Sequence, residues 1–577
     1  MKKLMLGNEA IARGAYEAGV RVVSSYPGTP STEITEFASK YDEMYCEWAP
    51  NEKVAVEAAS GAAIAGGRAV SAMKHVGLNV AADPLFTMSY IGVNAGLVLC
   101  VADDPGMHSS QNEQDSRNYA LASKIPMLEP ADSSECKDFM KKAFELSEKY
   151  DTPILMRLTT RVAHSQSLVE LEDRVEVPVK PYEKDIPKHV MVPAFAKQKH
   201  PKVEARMQAL AEEAATADFN KVIMRGTDIG IITAGISYQY TEEALPDASI
   251  LKLGMVWPLP EKLIRDFASK VKKCYVIEEL DPFLEKQIKA MGIEVIGKDI
   301  LPLEGEYTAT MLKDKILGIA PKEMASADEP VPVRPPVMCP GCSHRGVFYV
   351  LSKLGLHVSG DIGCYSLGSA APLFAMDSII CMGASISAAH GMEKAAGRDF
   401  AKKTVAVLGD STFIHSGITG LIDVVYNKGT STVIILDNSI TGMTGHQQNP
   451  STGLTIKGEP TRQVDLVKLA EAVGVDRVTV VDPFDVEKFE KVVKEEIAAD
   501  EPSVIIAQRP CALLKKAGYT GTYRINPEKC KNCKICMKLG CPAISITENG
   551  PVINETLCVG CGLCPNVCKF GAIEKVN

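Results

Sequence analysis

The run Val405-Ala-Val-Leu-Gly-Asp-Ser411 and the run Val433-Ile-Ile-Leu-Asp-Asn438 decide the fold. Each run is a short apolar segment that ends in polar residues, and a helix-like stretch at 417–427 separates them. This order predicts one right-handed strand–helix–strand crossover in a doubly wound, parallel α/β sheet. Asp410 and Asn438 are therefore expected at the carboxyl ends of parallel strands, where open α/β sheets bind their ligands.

The side chains at this edge of the sheet suggest a metal site. A carboxylate, a side-chain amide and a backbone carbonyl are hard oxygen ligands that suit Mg²⁺, and diphosphate oxygens and water can complete its shell. The alternative is that Gly409-Asp410-Ser411 and Asn438 form ordinary turns. The strand context and the length of the crossover favour the metal site.

This stretch resembles the thiamine-diphosphate motif, which begins Gly-Asp-Gly and ends Asn-Asn. Ser411 stands at the third position of the motif and Asp437 at the penultimate one, while both side-chain ligand positions are kept. The resemblance implies thiamine diphosphate and Mg²⁺ as cofactors, with Mg²⁺ held by Asp410, Asn438 and the carbonyl of Ile440. The residues of this stretch that are expected at the cofactor are Gly409, Asp410, Ser411, Asn438 and Ile440.

Two upstream segments resemble those that open this domain in the 2-oxo acid:ferredoxin oxidoreductases. They are Cys339-Pro-Gly-Cys342-Ser-His344-Arg and Gly360-Asp-Ile-Gly-Cys364. In that family Cys and Gly residues approach the cofactor, and the resemblance implies this role for Cys342, His344 and Cys364. The alternative for the cysteine pair is a stray C-x2-C turn.

Gly383-Ala-Ser385 resembles a diphosphate-side segment of the same family, which places Gly383 at the cofactor. The alternative is that these small residues only pack one helix against another. Together, these segments predict a domain that binds the diphosphate and Mg²⁺ at residues 337–515.

The tail at 523–577 holds eight of the 17 cysteines. Its two motifs read Cys530-x2-Cys533-x2-Cys536-x4-Cys541 and Cys558-x2-Cys561-x2-Cys564-x3-Cys568. Three thiolates spaced in this way can wrap one cubane, and the remote fourth Cys of paired motifs ligates the other cluster. Two 4Fe–4S clusters are predicted, one on Cys530, Cys533, Cys536 and Cys568, the other on Cys558, Cys561, Cys564 and Cys541. A pair of zinc sites is the alternative, and a repeated triple of cysteines fits it poorly.

The tail resembles the bacterial two-cluster ferredoxins and departs from them at two places. Four residues instead of three precede Cys541, and Lys569 stands where Pro is usual. Clusters need an electron acceptor, which we expect to be a ferredoxin. Residues 526–577 carry six Lys and four Glu, and we hypothesise that these lysines help to dock an acidic ferredoxin.

The N-terminal unit at 1–170 is expected to bind the aminopyrimidine of the cofactor. Asn8 and Asn51 are predicted to cap helices. The Ala-rich run that follows Asn51 resembles the helix that carries the activating glutamate of thiamine enzymes, a carboxylate that hydrogen-bonds the pyrimidine ring and helps to form the reactive carbanion. Glu52 is predicted to be this glutamate, and Glu57 is its rival on the same helix. A Glu that only serves the helix dipole is the alternative.

Substrate residues are also expected in this unit. Tyr26-Pro-Gly-Thr29-Pro-Ser31 resembles a segment of the pyruvate:ferredoxin oxidoreductases in which the Thr faces the substrate, which implies that role for Thr29. A rigid turn is the alternative. Lys74-His75 and His108 could meet a substrate carboxylate or shuttle protons. His75 is taken as the catalytic candidate.

The order of the domains is more specific than any single motif. A pyrimidine domain (1–170), a domain like the C-terminal domain of transketolase (200–323), the diphosphate domain (337–515) and the two-cluster tail (523–577) follow one another, with linkers at about 172–202 and 324–336. This order, together with the stretch from Met73 to Arg117, resembles the α subunits of the indolepyruvate:ferredoxin oxidoreductases.

The resemblance implies an oxidative decarboxylation of aryl pyruvates, namely indolepyruvate, phenylpyruvate or 4-hydroxyphenylpyruvate. Coenzyme A would take the acyl group as an aryl-acetyl-CoA, CO₂ would leave, and ferredoxin would be reduced. A smaller β subunit is expected as a partner, in an α₂β₂ assembly. The alternatives are an oxidoreductase for pyruvate or another 2-oxo acid, an electron-transfer subunit with a vestigial thiamine fold, and a carboligase or simple decarboxylase, which would have no use for the clusters.

The composition excludes some other partners. The net charge is −9 and no block of like charges is present, so nucleic acid is not an expected partner. The N-terminus lacks a signal-peptide core, and the longest apolar stretch, at 91–101, contains Asn94 and is too short for a membrane span. A cytoplasmic protein without membrane contact is therefore predicted.

Overall fold

The structure is a computed structural model that describes residues 1–321, 331–332 and 334–576. It contains two compact units, Met1–Asp328 and Glu329–Asn577. Each unit has an α/β architecture with a parallel sheet, as the sequence predicts. In the described part of the chain, no helix combines the length and the apolar character that a membrane crossing requires.

The first unit is built on a seven-stranded sheet with the order β12-β6-β7-β5-β4-β2-β3, in which all neighbours are parallel except β12 and β6. The central strands β4, β5 and β7 are buried along their whole length, because helices cover both faces of the sheet. The strands are β1 (Lys2–Leu6), β2 (Val22–Ser25), β3 (Tyr45–Trp48), β4 (Ala69–Lys74), β5 (Leu97–Asp103), β6 (Met127–Leu128), β7 (Ile154–Thr159), β8 (Gln166–Glu170), β9 (Lys221–Ile223), β10 (Ile229–Ala234), β11 (Ser249–Leu253), β12 (Met255–Trp257) and β13 (Lys273–Ile277).

A four-stranded sheet with the order β13-β10-β11-β9 and an antiparallel pair of β1 and β8 complete the strands of this unit. The larger sheet receives β12 from the middle of the chain, and apolar side chains of β5, β10 and β11 share one core. The helices are α1 (Gly7–Glu17), α2 (Thr32–Ala38), α3 (Glu52–Ile64), α4 (His75–Val80), α5 (Ala82–Ile91), α6 (Arg117–Ser123), α7 (Ser133–Tyr150), α8 (Thr160–His164), α9 (Ile186–His189), α10 (Pro193–Ala214), α11 (Gly235–Ala244), α12 (Glu261–Ala268), α13 (Phe283–Ala290) and α14 (Ala309–Leu317).

Two local predictions in this unit are wrong. Asn8 does not cap α1, because the helix begins at Gly7 directly after β1, and the Asn8 side chain donates instead to the Pro30 carbonyl over 2.7 Å. The stretch at 172–202 is not only a linker. Its first part hydrogen-bonds to the sheet unit through the amides of Val175 and Lys180, and α10 begins within it at Pro193.

The second unit contains a six-stranded, entirely parallel sheet with the order β15-β14-β16-β17-β19-β18. Two antiparallel pairs, β20 with β23 and β21 with β22, form the tail. The strands are β14 (His357–Gly360), β15 (Ser378–Ile379), β16 (Thr404–Gly409), β17 (Thr432–Asp437), β18 (Arg477–Val481), β19 (Ser503–Gln508), β20 (Thr522–Ile525), β21 (Ile544–Thr547), β22 (Gly550–Ile553) and β23 (Ile573–Val576).

The tail shares the core of the sheet domain in this unit. Phe348 belongs to the same apolar cluster as Leu539, Leu563 and Ile573 of the tail. The helices are α15 (His344–Leu354), α16 (Ala384–Ala396), α17 (Arg398–Ala401), α18 (Asp410–Thr412), α19 (Ile418–Tyr426), α20 (Leu466–Ala472), α21 (Val486–Ala498) and α22 (Leu563–Val567), with a π-helix at Phe413–Gly417 and 3-10 helices at Cys364–Ser369, Lys515–Ala517 and Ile535–Leu539. Each compact unit thus holds two of the four predicted domain ranges, whose limits stay a prediction. The predicted linker at 324–336 falls mostly outside the described residues.

Candidate functional site

Asp410 and Asn438 follow neighbouring strand ends in the second unit. β16 and β17 are parallel and pair Gly409 with Leu436, so both polar residues emerge at the same edge of the sheet. Both are buried. Asp410 Oδ2 accepts a hydrogen bond from Ser451 Oγ over 2.9 Å, and Asn438 Oδ1 accepts one from the Ile440 amide over 3.2 Å.

The electrostatics of this edge fit a divalent cation. Burial, together with the charge of the nearby Asp437 carboxylate, raises the pKa of Asp410 to about 7. The hydrogen bonds that Asp410 receives come from neutral groups, the Ser411 amide over 2.8 Å and the hydroxyl of Ser451. A buried carboxylate and an amide oxygen are ligands that suit Mg²⁺. The ion would stabilise the charged form of Asp410, because it would supply a positive charge that the neutral hydrogen-bond donors do not.

The segments that precede β16 pack against the same edge. The Asp361 carboxylate accepts from the amides of Gly383 over 2.9 Å and Ser385 over 3.1 Å, which joins the two segments that resemble family motifs. The Gly383 amide is therefore already used by Asp361. His344 lies 3.4 Å from the amide nitrogen of Asn438, and burial lowers its pKa to about 4, so its ring is neutral at pH 7.

Four thiols outside the tail come together beside this edge: Cys339, Cys342, Cys364 and Cys511. Burial raises the pKa of Cys342 to about 12 and that of Cys364 to about 11, and the neighbouring thiols add to both shifts. The Cys511 amide donates to the Asn438 carbonyl over 3.0 Å. Sequence reasoning missed Cys511. The signal was available, because Cys511 closely follows an apolar run that forms β19, the strand beside β17. Among the described residues, however, these four thiols do not form a group that could hold a single metal ion.

The tail brings together the cysteines of one predicted cluster from both motifs. Burial raises the pKa of Cys564, and Cys561, Cys541 and Cys558 raise it further through their charges. Cys541 of the first motif thus lies close enough to the second motif to act on Cys564 through its charge, and its ligation of the same cluster stays a prediction. We call Cys541, Cys558, Cys561 and Cys564 the inner thiol set.

The first three cysteines of the tail form a second group. Burial raises the pKa of Cys536, and the charges of Cys530 and Cys533 contribute smaller increases. With Cys568, whose place in this set stays a prediction, we call these residues the outer thiol set. All eight cysteines are free, and among the described residues no group of three or more His, Cys, Asp or Glu could hold a single metal ion. A cubane is larger than one ion, and its ligands do not meet at one point.

The inner thiol set packs against the C-x2-C turn of the sheet domain. Gly341 has a φ of +73°, and a Cβ at this position would lie 2.6 Å from Val559 Cγ2 and 3.2 Å from Cys561 Cβ. The Tyr519 hydroxyl donates to the Gly341 carbonyl over 3.3 Å and fixes this turn. A glycine is required here by the close approach and by the left-handed backbone. The inner thiol set is therefore next to the segment that opens the diphosphate domain.

In the first unit, Glu52 is buried at the start of α3. Asn51 caps this helix, as predicted, by accepting from the Val54 amide over 2.9 Å. Glu52 is 5% exposed, and a Cβ on Gly77 of α4 would lie 2.5 Å from its Oε1 atom. Its rival Glu57 is exposed and forms an ion pair with Lys53. The structure therefore favours Glu52 over Glu57 as the carboxylate of an enclosed site.

The predicted substrate residues lie near one another in this unit. Thr29 is half-buried in a loop whose Gly28 packs against the side chain of Lys74, at the end of β4. Burial lowers the pKa of Lys74 to about 8. His75 is 1% exposed, and burial lowers its pKa. His108 instead bonds to Glu306 over 2.9 Å.

Comparisons with protein families cover the two cofactor regions and the tail. Residues 13–225 match the thiamine-diphosphate-binding model of pyruvate flavodoxin/ferredoxin oxidoreductases, and residues 361–507 match the C-terminal binding domain of thiamine pyrophosphate enzymes. Residues 551–574 match a 4Fe-4S binding domain, which contains the second tail motif. The chain is therefore an enzyme of the 2-oxo acid:ferredoxin oxidoreductase class.

Curated relatives narrow this class. Indolepyruvate oxidoreductase subunit IorA of Archaeoglobus fulgidus is 42% identical, over 100% of this chain and 98% of that protein. The subunit IorA of Pyrococcus horikoshii is 40% identical, over 100% of this chain and 97% of that protein. The chain belongs to the indolepyruvate oxidoreductase subunit IorA family. A solved 2-oxoglutarate:ferredoxin oxidoreductase from Magnetococcus marinus is 18% identical with a TM-score of 0.47, over 55% of this chain and 65% of that chain, a likeness too low to support a conclusion about function.

Proposed function

We propose that this chain is the catalytic α subunit of an indolepyruvate:ferredoxin oxidoreductase. In this proposal it converts an aryl pyruvate (indolepyruvate, phenylpyruvate or 4-hydroxyphenylpyruvate) and coenzyme A to an aryl-acetyl-CoA and CO₂, and it passes two electrons to ferredoxin. The observation that carries the proposal is the contact between Gly341 and Cys561, because it joins the segment that opens the diphosphate domain to an electron outlet in the tail. The full-length likeness to IorA proteins supports the choice of substrate class.

Two sets of residues would hold the cofactor. Asp410, Asn438 and the carbonyl of Ile440 would bind Mg²⁺, and the ion would hold the diphosphate. Further residues proposed at the cofactor are Cys342, His344, Cys364, Gly383, Gly409 and Ser411. Bound thiamine diphosphate supplies an electron sink that allows the bond between the keto carbon and the carboxylate of a 2-oxo acid to break.

Glu52 would hydrogen-bond the pyrimidine ring through its carboxylate. Gly77 packs against this carboxylate without a side chain that would displace it, and burial keeps bulk water away. Thr29 and His75 are proposed to face the substrate. Lys74 lies beside the Thr29 loop, where its cation could meet the substrate carboxylate.

The electrons would leave through the two thiol sets in order. The inner set borders the sheet domain, so its cluster would receive electrons first. In the outer set Cys533 is exposed, and Lys531, Lys534 and Lys538 around it are exposed too. Each 4Fe–4S cluster carries one electron at a time, so two transfers to ferredoxin would complete one turnover.

The proposed partners follow from the reaction and from the family. They are an acidic ferredoxin, coenzyme A and a smaller β subunit in an α₂β₂ assembly. A cytoplasmic location is also proposed, because thiol-ligated clusters and free cysteines require a reducing compartment.

The test is an anaerobic assay of the purified α–β complex. Coenzyme-A-dependent viologen reduction would be compared on indolepyruvate, phenylpyruvate, pyruvate and 2-oxoglutarate. The last substrate is included because a 2-oxoglutarate synthase subunit KorA of Methanothermobacter marburgensis is 25% identical over 54% of this chain. We expect kcat/KM to be at least about tenfold higher for the aryl pyruvates, since a pocket for a ring loses apolar contact with a small substrate. Equal turnover of pyruvate would refute the aryl assignment.

A further inference from the structure

Arg345 is a buried cation on the second residue of α15, where the tail meets the sheet domain of the second unit. Its side chain is among the charged groups that are almost fully buried, with 2% exposure of the residue. Nη1 donates to the Leu539 carbonyl over 2.9 Å and to the Gly540 carbonyl over 2.6 Å. These two carbonyls directly precede Cys541, a member of the inner thiol set.

The other bonds of Arg345 also end on backbone carbonyls. Nε donates to the Cys339 carbonyl over 3.2 Å, and Nη2 donates to that of Met338. Within the residues that the structure describes, no carboxylate forms an ion pair with this guanidinium. A buried charge without a counter-charge is costly, and arginine does not relieve the cost by losing its proton.

The groups whose ionisation acts on Arg345 are cysteine thiols. Burial lowers the pKa of Arg345, and the charges of Cys541, Cys342, Cys339 and Cys561 oppose that shift. Two of these thiols belong to the inner thiol set. When they ligate iron they are thiolates, and the missing counter-charge is then present.

The charge of the cluster decides what Arg345 does to its potential. Four thiolates around an oxidised 4Fe–4S core of charge 2+ give a net charge of −2, and the one-electron reduced cluster has a net charge of −3. A fixed positive charge at short range and low dielectric stabilises the reduced form more than the oxidised form. It therefore raises the reduction potential.

We propose that Arg345 is the counter-charge of the inner cluster and raises its reduction potential. The step that it favours is the uptake of one electron, which converts the 2+ core to the 1+ core without a proton and without breaking a bond. In turnover the electron comes from the 2-oxo acid as this substrate is oxidised. The proposal rests on the assignment of the inner thiol set to a cluster in the proposed function, and it does not depend on the identity of the 2-oxo acid.

The test is a redox titration of the purified α–β complex, followed by electron paramagnetic resonance. Dithionite and mediators poise the potential without any 2-oxo acid, so a wrong substrate assignment does not affect the result. The couple that disappears in Cys541→Ser identifies the inner cluster. The variants are Arg345→Gln, Arg345→Met and Arg345→Lys, and Arg524→Gln removes the same charge from an exposed position of the tail.

In Arg345→Gln and Arg345→Met we expect the ratio of reduced to oxidised inner cluster, at a fixed ambient potential, to fall about tenfold or more, which is ~59 mV for a one-electron couple. Arg345→Lys keeps the charge, so its inner cluster should have a reduction potential close to that of the unchanged protein. Arg524→Gln should leave the couple unchanged, because water screens its charge. Full iron with an unmoved couple in both charge-deleting variants would overturn the proposal and leave Arg345 as a structural contact only.

Should both charge-deleting variants lose the iron of the inner cluster, Arg345→Lys alone decides the question. Lysine keeps the charge but cannot reproduce the bonds of the guanidinium to four carbonyls. An inner couple close to that of the unchanged protein would then support a role of the charge. The role of the charge would be refuted if Arg345→Lys, which keeps the charge, still lowered the ratio of reduced to oxidised inner cluster tenfold or more at the same ambient potential.

Discussion

Gly77 lies against the carboxylate of Glu52: a Cβ on residue 77 would be 2.5 Å from Glu52 Oε1. Glu52 is the first residue of α3 and Gly77 is the third residue of α4, and these helices follow the parallel strands β3 and β4. In Gly77→Ala the methyl group must displace the carboxylate. We therefore expect Gly77→Ala to lower kcat strongly while the fold and the iron content are kept.

Replacing Glu52 tests the same site directly. Glu52→Gln should lower kcat by about 10²- to 10⁴-fold, the usual contribution of a positioned proton-transfer group, with thiamine diphosphate still bound. The measurement is coenzyme-A-dependent viologen reduction together with the thiamine content of the purified complex. Glu57→Gln is the matched control, because Glu57 is exposed and paired with Lys53. Full activity in Glu52→Gln would remove Glu52 from the mechanism.

The local crossover could be predicted from the sequence because its signals are local. The strands at Thr404–Gly409 and Thr432–Asp437 and the helix at Ile418–Tyr426 lie within one or two residues of the expected segments. Apolar runs that end in polar residues are sufficient for this, since a parallel strand buried on both faces is apolar along its whole length.

The order of the strands in the sheet could not be predicted from such local signals. Cys511 reaches Asn438 because β19 lies between β17 and β18, which depends on contacts between residues far apart in sequence. Asn8 failed as a cap for a similar reason, since its side chain bonds to Pro30 and to Glu33 in the first turn of α2. The contact between Glu52 and Gly77 likewise depends on packing between α3 and α4. Local patterns therefore suggested the candidate residues, and tertiary structure decided what each of them contacts.

Glu279 should make the stability of the first unit depend on pH. Burial raises the pKa of this carboxyl from 4.5 to about 7, although the Tyr307 amide donates to it over 2.8 Å. The folded state therefore binds more protons than the unfolded state between about pH 4.5 and 7, and stability falls as the pH rises through this window.

Glu279→Gln keeps the acceptor oxygen and removes the charge. The melting temperature of this variant should exceed that of the unchanged protein by an amount that grows as the pH increases from 5 to 8. The corresponding gain in the free energy of unfolding is up to about 3 kcal/mol. Thermal denaturation at pH 5, 6, 7 and 8 measures this, with the exposed Glu304→Gln as the control. A difference that stays constant across these pH values would contradict the prediction.

The crossed ligation of the tail can be tested by removing single cysteines. If Cys541 belongs with Cys558, Cys561 and Cys564, then Cys541→Ser and Cys564→Ser should each lose about four irons and abolish the same resonance signal. Cys536→Ser should abolish the other signal. Cys274→Ser, a buried cysteine of the first unit, should keep all of the iron. The assignment is wrong if Cys541→Ser removes the signal that Cys530→Ser removes.

The exposed lysines of the outer thiol set should control the encounter with ferredoxin. Lys531, Lys534 and Lys538 are exposed and flank the exposed Cys533 in sequence, so we expect their charges to attract an acidic carrier to this cluster. The triple replacement of these lysines by Gln should lower the rate of ferredoxin reduction about tenfold at low salt, and it should flatten the dependence of that rate on ionic strength. Viologen reduction should not change, because a small dye needs no docking surface.

The matched control replaces Lys488, Lys491 and Lys494 of α21, which are equally exposed and lie outside the tail. A ferredoxin rate that is insensitive to salt in the unchanged enzyme, or equally reduced in both triple variants, would show that docking does not depend on this surface.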